Sequence, residues 1–571
     1  MQKILCGALA TALCSMAAAQ VGNAFFVSPA GSDSNFGISP TQAFRTLGQA
    51  VSVATGPGPY SIHLRADGTY AAPASLQTNG ISIVAYQAVA GQRPRITGTL
   101  RVDDATYAGA TASRLENLTL ENVVLPSGGS VEIRRCLFDY AAANPNGADP
   151  RNIAIAVERP DGTESTHVIE YCEFTPAATG TNYNIGIQNF GTGPVDPEGV
   201  SSLLIRSNQF TNVFSAIQMQ SDDDDNCYPR IASNAVRRSQ RVMYFEHCAP
   251  FCVNNSVDEF VLHGAGYDGS AETWGIRFES CASFECSNNI VWFVDPNATG
   301  NDDIIVSQST GVLRKNHLSD RPLTTYPYVA GAFPRIPFSS ARATGGNATI
   351  VQAPATMTVP FGSGSVRVDV PVDFEGDMRT TQAASGAAPT VAQGADQVNQ
   401  ASGAAPFHRL ALDVAASNGA VDAVGNWFLS DDGSGSLSTQ PVVLSSTGLL
   451  PGTSAAPATA LLYANVLPTG SVSPWSAVNL HAFDSTLGSV TFLPSVTNDQ
   501  ANAGALVVDG FPVIQYPAAG VTNATWTIPS FTPNGALIGL EVHLQVASIA
   551  SSVHGMASNR VTLRLTLDPA Y

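Results

Sequence analysis

The chain has 571 residues, 45 acidic against 27 basic side chains, and a formal net charge of -18. With 44% hydrophobic and only 13% charged residues, wholesale disorder is excluded. The acidic balance also argues against a general nucleic-acid binder and against docking on anionic lipid, both of which need a basic face. At about 150 residues per domain the length predicts more than one domain.

Residues 1–19 read as a secretory signal: Lys3 at the start, an apolar run from Ile4 to Met16, and the small residues Ala17 to Ala19 as a cleavage site. The run is too short to span a bilayer, and no later segment has 18 uninterrupted apolar residues. The expectation is a secreted, extracellular protein without a transmembrane segment. Once the signal is removed, Lys315 is the one lysine left and seven cysteines remain, from Cys136 to Cys286.

Residues 25–37 (FFVSPAGSDSNFG) predict a strand and a polar glycine loop, and residues 43–51 (AFRTLGQAV) a short amphipathic helix. First strands follow at Ile62 to Leu64, Ile81 to Val84 and Arg95 to Thr97. A repeat then dominates the chain: an apolar residue, Asn or Cys three later, and an apolar residue two after that. It reads Ile133–Cys136–Phe138, Ile169–Cys172–Phe174, Ile205–Asn208–Phe210 and Ile231–Asn234–Val236. It continues as Cys252–Asn255–Val257, Cys286–Asn289–Val291 and Leu313–Asn316–Leu318. A second family of alternating strands precedes most of these, at 152–158, 184–188, 216–220, 242–246, 275–279 and 303–307.

Short strands with variable loops and no helices between them predict a parallel β-helix, each coil burying its inner face on the next. The Asn slot falls where a coil turns. Stacked Asn amides there can satisfy backbone groups at a buried corner. Cys136/Cys172, Cys248/Cys281 and Cys252/Cys286 hold like positions in successive coils. They are therefore candidate disulfides, with Cys227 left over; a reduced ladder of small apolar side chains is the alternative.

The 25–51 segment resembles the DUF1565-type start of secreted right-handed parallel β-helix proteins in the pectate-lyase-like superfamily. Residues 373–379 (DFEGDMR) and 394–396 (GAD) resemble the closing motif of the same proteins. Ala43 stands where the usual Pro precedes the helix Phe, and Ile38 where Thr usually follows the glycine. The resemblance covers residues 24 to about 400 and implies the fold. It leaves function open, because that fold hosts polyuronate lyases, glycoside hydrolases, tailspikes and non-enzymatic surface proteins.

The domain reading is a β-helix over 20–398, a linker at 399–406 and a C-terminal module at 407–571. Alternating patterns at 461–466, 477–480, 505–508, 524–528, 539–546 and 561–567 predict an antiparallel β-sandwich there. Its expected role is to bind or anchor at a cell surface or matrix, or to cap the solenoid.

Alternation in the second strand family places two outward columns side by side. One reads Ala156, Gln188, Gln218, Tyr244, Arg277; the other reads Glu158, Phe190, Gln220, Glu246, Glu279. Such a polar strip suits an extended polysaccharide. Glu246 and Glu279, one coil apart, give a carboxyl pair at about the 5 Å separation of retaining glycosidases. Alternatively the pair holds calcium against a uronate, with Arg277, Tyr244 or His247 as the base for β-elimination. Tyr244, Glu246, Arg277 and Glu279 are thus the candidate catalytic residues, and Gln188, Gln218, Gln220 and His247 the candidate substrate contacts. The acidic run Asp222, Asp223, Asp224, Asp225 is a candidate calcium site in the following loop. His167 and His263 fall on loops or strand ends without an assignable partner. The competing view of the strip is a solvated sheet face, and that of the whole chain is a non-catalytic secreted solenoid that binds glycan or builds a surface.

Overall fold

The computed structural model describes residues 23–318 outside the loops at 56–59, 87–91, 104–112, 141–150, 159–164, 177–182, 191–200, 222–226, 261–271 and 293–300 and some shorter turns. Beyond 318 it describes separate strands and turns, of which the two larger sheets are given below. The signal segment 1–19, the closing motif at 373–379 and 394–396, the linker 399–406, Lys315, His263 and the acidic run 222–225 lie outside the described residues.

The first half of the chain is a parallel β-helix. Eleven parallel strands form one wall, from Asn23–Val27 through Tyr60–Arg65 and on to Val312–Arg314. A short wall runs through Leu137–Phe138, Glu173–Phe174, Gln209–Thr211, Ala235–Ser239, Ser256–Phe260, Ile290–Trp292 and His317–Leu318. A long wall runs through Arg151–Glu158, Tyr183–Phe190, Ser215–Gln220, Arg241–Glu246, Thr273–Glu279 and Asn301–Ser307.

The repeat is the coil. Ile133, Ile169, Ile205, Ile231, Cys252, Cys286 and Leu313 pair in one continuous register on the first wall. Phe138, Phe174, Phe210, Val236, Val257, Val291 and Leu318 do the same on the short wall. Phe138 stacks on Phe174 at 4.7 Å and Phe174 on Phe210 at 4.4 Å between ring centroids.

Between those two columns the chain turns through a left-handed residue: Arg135, Tyr171, Ser207, Ser233 and Asn254 all have φ between 53° and 56°. Each such residue costs about 1–2 kcal/mol outside glycine, and the buried slot that follows offsets it. The backbone N–H of Asn208 donates to Asn234 Oδ1 at 3.0 Å, that of Asn234 to Asn255 at 3.0 Å, that of Asn255 to Asn289 at 2.9 Å and that of Asn289 to Asn316 at 2.9 Å. Each Asn Nδ2 also donates to the carbonyl that opens the previous turn, as Asn234 does to Ile205 O at 2.9 Å. The cysteines in this slot copy only the donor half: Cys172 Sγ reaches Ile133 O at 3.6 Å and Cys136 Sγ reaches Leu115 O at 3.6 Å.

The disulfide expectation is corrected. All seven cysteines from Cys136 to Cys286 are free and buried. Side chains on neighbouring parallel strands point the same way, so their Cβ atoms stay near the 4.8 Å strand spacing, whereas a disulfide draws them to about 3.8 Å. His167 also sits differently from its sequence placement. It lies within the strand Ser165–Glu170, in register with the core residues Val131 and Leu203, fully buried, with Nε2 3.2 Å from Pro126 O.

At the N-terminal end, Asp33 accepts from the N–H groups of Arg45 and Thr46 at 2.9 Å each. Thr46 in turn caps the helix Leu47–Val53, whose Leu47 and Ala50 are buried over the first coils.

The C-terminal module contains a three-stranded antiparallel sheet of Ala411–Ala415, Val442–Thr447 and Asn523–Ile528. A second sheet runs in the order Leu437–Thr439, Asn426–Asp431, Val561–Leu567, Leu540–Ser551, Thr459–Pro468, Phe511–Gln515. It departs from a purely antiparallel sandwich at one place: Asn426–Asp431 and Val561–Leu567 pair in parallel, because the last strand inserts beside the outgoing arm of an early hairpin.

Candidate functional site

The long wall bends once per coil. Two consecutive residues face the core at the bend, as Ala154 and Ile155, Ala216 and Ile217, or Val242 and Met243 do. Equivalent positions are glycine at 186 and 275. A Cβ at Gly275 would lie 2.4 Å from Asp303 O, and one at Gly186 2.6 Å from both Ala216 O and the Phe210 ring. Beyond the bend, strict alternation resumes. Ala156 pairs with Gln188, Gln188 with Gln218, Gln218 with Tyr244 and Tyr244 with Arg277. Two residues further along each strand, the backbone of Glu158 pairs with that of Phe190, and the outward residues Gln220, Glu246 and Glu279 pair in turn. Between Phe190 and Gln220 the column is interrupted, since Gln220 N–H donates to the Asn189 side chain at 2.7 Å.

A second corner fixes the acidic pair. His247, Ser280 and Gln308 have φ of 50°, 51° and 48° and are followed by Cys248, Cys281 and Ser309. Cys248 Sγ donates to Glu246 O at 3.2 Å, Cys281 Sγ to Glu279 O at 3.5 Å, and Cys281 N–H to Ser309 Oγ at 2.9 Å. Glu246 and Glu279 are thus the last residues before stacked left-handed turns. Their side chains face outward and half-exposed while Phe245 and Phe278, stacked at 5.5 Å, face the core.

The carboxylates are knit into a polar cluster. Gln220 Nε2 donates to Glu246 Oε2 at 2.6 Å. Tyr244 Oη donates to Glu279 Oε2 at 3.1 Å and also interacts with Glu246. Arg277 bridges Glu279 at 2.8 Å and Glu272 at 3.1 Å. Burial first, and then the charges of Glu246 and Glu279, push the Tyr244 phenol far above its ordinary range. Tyr244 therefore keeps its proton at neutral pH and serves as a donor, which disfavours it as the base of an elimination. His247 is half-buried, and its backbone N–H donates to Glu279 O at 3.2 Å.

Gln188 and Gln218 occupy the expected column but are each only 2% exposed. Glu158, paired with Arg101 at 2.6 Å, is half-exposed at one end of the strip, and the contiguous solvent-facing part is Gln220, Tyr244, Glu246, Arg277 and Glu279. Sequence reasoning missed the residues before the bend. Arg241 pairs in register with Trp274; its guanidinium lies 4.6 Å from the Trp274 ring, and that of Arg277 lies 4.9 Å from the same ring. Trp274 thus anchors both arginines from beneath. Strict period-2 alternation hides it, because the doubled inward residues at the bend shift the phase. Among the described residues no cluster of three or more His, Cys, Asp or Glu side chains is arranged to hold a metal ion, and no helix is long and apolar enough to cross a membrane.

No protein family, curated protein or solved structure matches this chain.

Proposed function

We propose that the chain is an exported β-helix protein, of the pectate-lyase-like kind that its N-terminal segment resembles, and that it binds an extended polysaccharide along the long wall and hydrolyses it there. The observation that carries this is the half-exposed cluster of Gln220, Tyr244, Glu246, Arg277 and Glu279 on adjacent coils. Two glutamates whose backbones stand one strand spacing apart on one face suit a double-displacement cleavage of a glycosidic bond, in which one attacks the anomeric carbon and the other protonates the leaving oxygen. Glu279, which accepts from both Arg277 and Tyr244, is the carboxylate held for attack. Glu246, held by the neutral Gln220 amide, is the proton carrier.

A second reading, a non-catalytic glycan-binding or surface protein, is favoured by the same donors, because they already occupy both carboxylates. Purified protein incubated with neutral glycans and polyuronates, with and without calcium, separates the two. New reducing ends support hydrolysis, and products absorbing in the ultraviolet point instead to a lyase. Retention on glycan without turnover supports the second reading. A calcium requirement would direct attention to Asp222 to Asp225, which follow Gln220 in the sequence. If Glu246→Ala and Glu279→Ala leave both binding and turnover unchanged, the assignment to this cluster is wrong.

A further inference from the structure

The outward face of the eleven-stranded wall carries two adjacent columns of largely buried charges, Arg114 and Glu132 in one and Glu116, Arg134, Glu170 and Arg206 in the other. Arg114, Glu116, Glu132, Glu170 and Arg206 are each 4% exposed or less. Within the solenoid, Arg114 Nε pairs with Glu132 at 3.1 Å, Arg134 Nε with Glu132 at 3.3 Å and with Glu170 at 2.8 Å, and Arg206 with Glu170 at 2.7 Å. Arg135 reaches Glu116 at 3.3 Å.

Two residues of the C-terminal module join these columns. Glu541 receives Arg114 Nη1 on both oxygens, at 2.9 and 3.0 Å, and Arg564 Nε at 3.0 Å. Arg564 also donates from Nη2 to Glu116. Glu541 is 0% and Arg564 1% exposed. A third contact lies beside these, where Asn426 Nδ2 donates to Ala85 O at 3.2 Å. Asn426, Arg564 and Glu541 stand in one row across three adjacent strands of the module. The row faces Ala85 and Arg114 on adjacent strands of the solenoid.

We infer that the C-terminal module is an intramolecular flank of the solenoid, keyed onto the eleven-stranded wall by buried ion pairs, and not a domain that swings on a tether. Buried ion pairs add little net stability over apolar packing. Removing one partner, however, leaves an uncompensated charge in a dry site. Such a row therefore accepts one placement of the module and rejects neighbouring ones, where Arg114 would meet Arg564 or Glu116 would meet Glu541. The module covers a different wall from the one carrying Glu246 and Glu279, so the glycan strip stays open while it is docked.

The test uses the full chain with a specific protease site inserted at residue 403, cleaved after folding. Cleaved but otherwise wild-type protein is expected to elute from gel filtration as one species with the mass of the intact chain. Glu541→Lys, which sets a third cation between Arg114 and Arg564, should weaken association of the two pieces at least roughly a hundredfold and release the module as a second peak. If the cleaved wild-type pieces separate at micromolar concentration, the inference is overturned. It is also overturned if the Glu541→Lys pieces stay together as tightly as wild type. Should Glu541→Lys fail to fold, Asn426→Ala, which removes a neutral contact to Ala85 and leaves the ion pairs in place, must still elute as one peak after cleavage, and separation would overturn the inference.

Discussion

Replacing Asn255 by alanine tests the corner ladder at its centre. Asn255 is completely buried. Its Oδ1 accepts from the N–H and the Nδ2 of Asn234, both at 3.0 Å. Its Nδ2 donates to Ile231 O at 3.0 Å and to Asn289 Oδ1 at 2.9 Å. Alanine deletes four hydrogen bonds and leaves the Asn234 N–H without this acceptor in a dry corner. At about 1 kcal/mol net for each bond the loss is about 4 kcal/mol. Cysteine at the same position should do better. Its thiol can still reach the Ile231 carbonyl, as Cys172 reaches Ile133 O, which restores about 1 kcal/mol. Urea unfolding of the two variants beside wild type, followed by far-ultraviolet circular dichroism, measures both differences. A loss below about 1 kcal/mol for Asn255→Ala would refute the reasoning. So would a Cys variant no more stable than the Ala variant, because the ladder would then be an ornament of the turn.

Acidification offers an independent check. Burial holds His63 at about 3 and His167 at about 4, both below the ordinary 6.5. The unfolded chain therefore takes up protons that the folded chain refuses. Stability is full above pH 6.5 and falls as the pH drops, by about 2 kcal/mol for each histidine at pH 5. In urea melts the wild-type loss between pH 7.5 and 5 should exceed that of His167→Leu by about 2 kcal/mol, and equal losses would contradict a buried neutral imidazole. The seven cysteines should resist a thiol reagent in the folded protein and all react in denaturant without prior reduction; any thiol that appears only after reduction would indicate a disulfide. Tyr244→Phe keeps the ring beneath Arg277, 5.7 Å from its guanidinium, and removes the donor to Glu279. It should cost about 1–2 kcal/mol of stability and lower glycan turnover more than glycan binding, and an unchanged turnover would remove Tyr244 from the site.

The coil register was legible because one residue type serves one physical role at every turn. Ile205, Asn208 and Phe210 are separated by the distance from the first wall, through a left-handed residue, to the short wall. Strands of unequal loop length keep that spacing because the corner, not the loop, sets it. The pairing of Glu246 with Glu279 followed from the same logic. What escaped was whatever breaks the period or spans the chain. The doubled inward pair Val242 and Met243 shifts the phase of its strand, so Arg241 and Trp274 were invisible as neighbours of the strip. Gln188 and Gln218 alternate correctly, but alternation gives the direction of a side chain and not what covers it. No local pattern marks Glu541 or Arg564, whose partners lie more than four hundred residues earlier.

The two corners explain why the acidic pair sits where it does. A parallel wall by itself holds like charges one strand spacing apart, which is unfavourable along its whole length. Here glutamates stand on successive rungs at one place, Glu246 and Glu279, with Gln220 before them and Ser307 after them, while Glu158 stands rungs away and pairs with Arg101 at 2.6 Å. Those two rungs adjoin the corner where Cys248, Cys281 and Ser309 tie the backbone, and they share the Tyr244 hydroxyl. Repulsion is thus confined to one pair, with Arg277 and Gln220 at its two ends. A solvated face under no functional demand relieves such repulsion by separating the charges. This wall sets them on adjacent rungs and fixes the backbone beneath, which is the arrangement the proposed cleavage calls for.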